Sequence, residues 1–285
     1  MSELIGRRRR RRRPVERGAA IAGMLLVSLG GGRANAQEAV RNTDGSSPEE
    51  RGLAIAREAD RRTAGYDDYE ARLTMVLVSR NGKERVREIE VSVLAKSGEG
   101  ERTLLVFRSP RDLAGTALLS HSHAGAGDDQ WLYLPAMKRV KRIAAANQSG
   151  SFMGSEFAYE DISSQEVGSF TYRYEGEDRI GDAEVYVVER FPADGSSGYS
   201  RQRVYLDRIE YLPLRIEYFD TRGEHVKTLT LADYVQHGPY WRAGTMTMES
   251  QRTGAVTRLE WSDFRFDAGV SERRFTADGL GRRGR

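Results

Sequence analysis

The sequence predicts a mostly β protein built on a large antiparallel sheet, and three observations predict it. From Tyr69 onward the hydrophobic pattern has a period of two rather than 3.6. Such runs recur at short intervals, about eleven or twelve of them, with turn residues between. Cysteine is absent from all 285 residues, so no disulfide framework and no thiol nucleophile stands in for a packed core. No repeat of fixed period is visible, and a single sheet, a sandwich and a barrel all fit the pattern.

The chain opens with a segment of another kind. Arg7 to Arg13 is an unbroken arginine run, Gly18 to Gly32 is apolar over 15 residues, and Ala34-Asn35-Ala36 is a small-x-small site. These are the three parts of a cleavable secretory signal, so residues 1–36 are expected to be removed and the protein to be periplasmic. Pro14-Val15-Glu16 follows Arg12-Arg13 where the twin-arginine route wants an apolar residue, which favours the general secretory route. The apolar run is shorter than the ~20 residues a spanning helix needs, and no later stretch approaches that length. Residues 1–36 hold nine of the 45 basic residues and two of the 42 acidic ones, leaving 36 against 40. The basic isoelectric point therefore belongs to the signal and is no argument for nucleic-acid binding.

The elements follow in order. Residues 37–47 read as a disordered polar linker, 48–278 as one domain and 279–285 as a disordered basic tail. Ser47-Pro48-Glu49-Glu50 is a helix start, with a capping box and proline at the first helical position. That helix fades by Gly65. In Tyr69–Ser79 the residues Tyr69, Ala71, Leu73, Met75 and Leu77 share one face. Asn81-Gly82 makes a hairpin turn, and Ile89, Val91 and Val93 line the returning strand. Further strands are expected at 102–108, 116–121, 130–134, 139–143, 171–175, 184–190, 201–207, 214–220, 224–233, 245–251 and 256–266. Residues 148–162 break the rhythm, with glycines at 150 and 154 and four large apolar residues, Phe152, Met153, Phe157 and Tyr159. That segment reads as a short helix or irregular lid.

No catalytic constellation stands out. His121-x-His123 with Asp128-Asp129 lacks a third ligand at a recognisable spacing, so no metal or other cofactor is expected. Asp67-Asp68 and Glu160-Asp161 are adjacent pairs, which in a strand point to opposite faces. A Gly-x-Ser-x-Gly elbow, a phosphate loop and a dinucleotide fingerprint are all missing.

Four blocks resemble the LolA-like outer-membrane lipoprotein-sorting protein family. They are Asp112–Leu119 (DLAGTALL), Asp129–Ala136 (DQWLYLPA), Arg139–Ile143 (RVKRI) and Phe152–Asp161 (FMGSEFAYED), in matching order and spacing. Glu156 and Ala158 stand where the family pattern has Asp and Thr. The likeness runs from about residue 48 to about residue 278. It implies a strongly curved antiparallel sheet, an incomplete barrel, covered on its apolar concave face by the N-terminal helix and a short helical lid. It implies a non-enzymatic periplasmic carrier of lipoprotein acyl chains or another lipid, with an inner-membrane exporter of the RND type as partner. A lipid sensor or scaffold on the same fold is the competing reading.

On this reading the lipid cavity is expected to be lined by Leu73, Met75, Leu77, Ile89, Val91, Val93, Trp131 and Tyr133. Phe152, Met153, Phe157 and Tyr159 are expected to form the lid, with Trp131 and Tyr133 facing Phe152 and Phe157. One outcome depends on the leader alone. N-terminal sequencing of the exported protein should read from Gln37, and a start at Met1 would remove the export reading.

Overall fold

The computed structural model describes residues 45–96, 100–123 and 126–280. The expected signal peptide and most of the linker lie outside the described residues. Helix α1 spans Pro48–Thr63 and begins as its sequence requires. The Glu50 amide donates to the Ser47 hydroxyl at 3.2 Å, and the Ser47 amide donates to the Glu50 carboxylate at 2.9 Å.

Among the described residues thirteen strands follow in one antiparallel sheet, one for each segment named from the sequence. They are β1 (Asp68–Val78), β2 (Glu84–Lys96), β3 (Gly100–Ser109), β4 (Ala117–His123), β5 (Ala126–Leu134) and β6 (Arg139–Ile143). After a crossover come β7 (Phe170–Ile180), β8 (Ala183–Pro192), β9 (Tyr199–Asp207), β10 (Pro213–Asp220), β11 (His225–His237), β12 (Tyr240–Ser250) and β13 (Val256–Phe266). The spatial order is β6-β5-β4-β3-β2-β1-β13-β12-β11-β10-β9-β8-β7, so the sheet has two free edges and does not close. Every expected segment is a strand, and several run longer. β7 continues to Ile180 through Gly176-Glu177-Asp178-Arg179, which carry no hydrophobic signal, and β12 starts five residues early at Tyr240-Trp241. At the first hairpin Gly82 takes a φ of 78°, the conformation for which the Asn-Gly pair was read as a turn.

The chain enters in the middle of the sheet. It pairs outward to β6, crosses to the opposite edge at β7 and pairs back until β13 joins β1, with Leu73 opposite Trp261 and Met75 opposite Leu259. The crossover, residues 144–169, runs over the concave face and holds a short helix, α2 (Tyr159–Ile162). Its aromatic part is a plug. Phe152 is fully buried with its ring 6.0 Å from that of Phe107, and the Phe152 amide donates to the Phe157 carbonyl at 2.7 Å. Met153 and Gly154 both take positive φ to make this turn.

The last described element is helix α3 (Ala277–Leu280). Phe275 and Leu280 are buried on the convex face against Leu104, Val106, Leu119 and Tyr133. Asp68 holds the start of this return by accepting from the amides of Ala268, Gly269 and Val270. The convex covering explains why Leu104-Leu105-Val106-Phe107, Leu118-Leu119 and Trp131-Leu132-Tyr133 depart from the period of two: these strands are buried on both sides.

One buried ion pair ties the crossover to the second half of the sheet. The Lys227 ammonium donates to Asp161 and to the Glu156 carbonyl, and Asp161 also accepts from the Ala158 amide and the Tyr199 hydroxyl. The two side chains are only 10% and 3% exposed. Removing one partner leaves a buried charge, so Lys227→Met should cost about 3–5 kcal/mol in chemical denaturation. The double variant Lys227→Met/Asp161→Asn should regain much of that loss. If the single variant matches wild type, the pair does not hold the crossover.

Candidate functional site

Helix α1 lies across the concave face at the β7 edge. Gly52 makes this possible, because a Cβ there would sit 2.9 Å from the backbone of Arg173 and Tyr174. Ile55 buries in the core, while the smaller Ala56 and Ala59 pack against it only in part and line a cavity. Arg51 stacks on Tyr174 at 3.8 Å, and Arg62 pairs with Glu58 and Glu210, fixing the helix at both ends.

The small residues leave a cavity of about 440 Å³ between helix and sheet. Ala56, Ala59 and Thr63 roof it. Val188, Val204, Leu206, Ile216 and Leu231 floor it from β8 to β11, and Met246, Trp261 and Phe264 complete the wall from β12 and β13. The indole N–H of Trp261 is buried without a hydrogen-bond partner. Apolar side chains dominate, and apart from Thr63 in the roof and Arg190 on β8 the charged groups and most of the polar ones gather at one rim.

That rim is built by Tyr66, Glu101, Asp60, Arg242, Ser164 and Gln165. The Tyr66 hydroxyl donates to Glu101. Arg242 caps the end of α1 by donating to the Thr63 carbonyl at 3.1 Å, with its guanidinium 4.9 Å from the Tyr66 ring centre and 5.1 Å from that of Phe266. Burial raises the carboxyls of Glu101 and Asp60 above their usual range, and nearby Glu166 raises both further. Asp128, in a smaller polar gap beside Ser164, is pushed up to about 6, chiefly by burial.

The twelve expected site residues fall elsewhere. Leu73, Met75, Leu77, Ile89, Val91 and Val93 do face the concave side, but they are packed solid in the main core together with Phe152 and Phe157. Met153 and Tyr159 pack against the edge of that core. None of these lines the cavity. Trp131 and Tyr133 were expected to face the cavity and Phe152. They share a face, as strand periodicity requires, but it is the convex one, under Phe275 and Leu280, while Leu132 faces the core. The cavity-lining residues lie mostly in β8–β13. A signal for them was available in the paired alanines at 56 and 59 on the inner stripe of α1, where a well-filled core would place larger side chains.

His121 donates from Nε2 to the Phe275 carbonyl at 2.9 Å, and burial lowers its pKa. His123 meets Asp129 at 3.3 Å. Among the described residues no group of three or more His, Asp or Glu is arranged to hold a metal ion, and no helix is long and apolar enough to cross a membrane.

Comparison with known proteins agrees with this architecture. A family model described only as an uncharacterized protein matches residues 99–282. A domain described as an outer membrane lipoprotein-sorting protein, from Vibrio parahaemolyticus, is 44% identical over 82% of this chain and 99% of its own, with a TM-score of 0.80. A DUF1329 family protein from Desulfovibrio piger is 31% identical over 82% of this chain and 100% of its own, with a TM-score of 0.79. A LolA superfamily protein from Nitrosomonas europaea shares the fold at 20% identity and a TM-score of 0.66, over 80% of this chain and 98% of its own. No curated protein matches the chain.

The carboxyl groups give a pH signature. Asp128 has a folded pKa raised from 3.8 to about 6, so the folded state binds its proton more tightly than the unfolded state. Stability from this group is present below about pH 4 and lost as pH rises through about 6. Asp128→Asn should remove that loss. In calorimetry its melting temperature should gain on wild type between pH 4 and 7, and a difference that does not change with pH would show that the group is not perturbed.

Proposed function

This chain belongs to the LolA-like outer-membrane lipoprotein-sorting protein family, and on that premise we propose that it carries an acyl chain of a lipid or lipoprotein in the cavity beneath α1. The observation that carries the reading is the cavity itself. It is apolar along its length, polar at one rim, and roofed by a single helix rather than by the sheet.

Its size supports one chain. A volume near 440 Å³ falls within the ~300–1,000 Å³ of small-molecule pockets, the scale of one acyl chain of about 15 carbons. At ~0.8 kcal/mol for each buried methylene, a chain of that length contributes on the order of 10 kcal/mol before ordering costs. No covalent step is needed, and the protein acts as a carrier rather than an enzyme. The buried Trp261 N–H offers a donor to an ester or amide carbonyl of the cargo, and the rim offers both charges to a headgroup. In this reading the carrier works in the periplasm and takes its cargo from an inner-membrane exporter of the RND type.

The test separates cavity from core. Ala243→Trp puts an indole into the cavity wall and should weaken binding of a fluorescent fatty acid at least tenfold while the melting temperature stays within a few degrees. Phe152→Asp places a charge in the filled half and should unfold the protein instead. Mass spectrometry of organic extracts from the purified protein should find a lipid in wild type and little in Ala243→Trp. If wild type binds no acyl probe at micromolar concentration, the carrier reading fails.

A further inference from the structure

In the first half of the sheet, the β1–β2, β3–β4 and β5–β6 hairpins all lie at one end, because consecutive antiparallel strands alternate in direction. The second and third touch, with a Cβ at Gly115 placed 3.2 Å from Pro135. These hairpins carry Arg80 and Lys83, then Arg111, then Lys138, Arg139 and Lys141, all exposed. None of the six is in an ion pair among the described residues. Their neighbours Arg108 and Arg142 are paired, with Glu90 and Asp129. At the other end of the same strands the described residues carry three carboxylates, Glu101, Asp128 and Asp129, beside the single cation Arg102.

Exposed apolar side chains gather at the same place. Met137 at the tip of the third hairpin is 60% exposed, Val86 beyond the first is 48% exposed, and Val140 on β6 is 37% exposed. A charged edge strand by itself guards against edge-to-edge pairing. That need accounts for Lys138, Arg139 and Lys141, which lie on or beside the free edge, but not for Arg80, Lys83 and Arg111 on interior hairpins.

We propose that this end of the sheet is a docking surface for an anionic phospholipid bilayer, with the cations over the headgroups and Met137, Val86 and Val140 at the interface. Charge complementarity selects the bilayer, since the protein beyond residue 36 is net acidic yet presents here a cationic surface studded with single apolar residues. An acidic protein partner would account for the cations but not for the apolar residues, which stand singly and form no groove. Glu101 on the cavity rim and Ser109 lie at opposite ends of β3, about 25 Å apart at ~3.3 Å per residue, so docking leaves the cavity free. The inference therefore stands apart from the identity of any cargo.

The experiment is vesicle sedimentation of the chain from Gln37 onward. This leaves out the arginine run, and the solved relative of which 99% is spanned shows that the remainder is a folding unit. Wild type should bind vesicles of phosphatidylcholine containing phosphatidylglycerol at low salt, release at high salt, and ignore pure phosphatidylcholine. Each cation near an anionic surface multiplies partitioning roughly fivefold, so Lys138→Gln/Arg139→Gln/Lys141→Gln should lower binding about 100-fold and Arg80→Gln/Lys83→Gln about 25-fold. Melting temperature and binding of the fatty-acid probe should be unchanged in both. Wild-type protein that ignores the anionic vesicles, or variants that bind as wild type does, would overturn the proposal. So would salt-sensitive retention on immobilised polyglutamate without vesicle binding, which would assign the surface to an acidic protein.

Discussion

The fold depends on how the crossover from β6 to β7 is held. A chain that starts in the middle of an open sheet must travel from one free edge to the other, and here it does so across the concave face. That passage puts Phe152 and Phe157 into the core, and it would expose the core if it lifted away. Asp161 is the group that binds it down, accepting from the Ala158 amide within the crossover and from Tyr199 and Lys227 on the second half of the sheet. A buried ion pair contributes little net stability compared with a packed apolar pair. Its value here is geometric, because a carboxylate with several donors has one position, whereas an apolar plug alone could slide.

With the crossover in place, the concave face divides into two unlike parts. Under the plug, β1–β5 meet large side chains and form the main core. Under α1, beyond the reach of the plug, β8–β13 meet alanines and leave a cavity. The helix is positioned by backbone contact at Gly52, by the buried Ile55 and by ion pairs at its ends, while Ala56 and Ala59 keep part of its inner face small. A helix seated in this way can roof a space without filling it. The same division separates stability from binding, since the residues that hold the core together are not those that line the cavity.

Charge is distributed along the strands as unevenly as packing is across them. Carboxylates with raised pKa values, Asp60, Glu101 and Asp128, gather around Glu166 at one end, while cations without partners gather on the hairpins at the other. Antiparallel alternation makes this possible, because each end of a meander is formed by every second turn. Charge on alternate turns is therefore additive at one end.

The sequence by itself determined the strands, the capped helix and the family. Period-two alternation, the Asn-Gly turn and the Ser47–Glu50 box act over a few residues and are legible wherever they occur. It also determined which side of β1 and β2 is buried, since Leu73, Met75, Leu77, Ile89, Val91 and Val93 face the core as their spacing requires. Only the tertiary structure decided what lies opposite each buried face. Trp131 and Tyr133 were bound to share a face, but the face is convex because a C-terminal segment more than a hundred residues away returns to cover it. The cavity was out of reach for the same reason. A void is made by side chains from α1 and from β8 to β13 that fail to meet; the alanines at 56 and 59 mark its roof, but no local pattern records which strands lie opposite them.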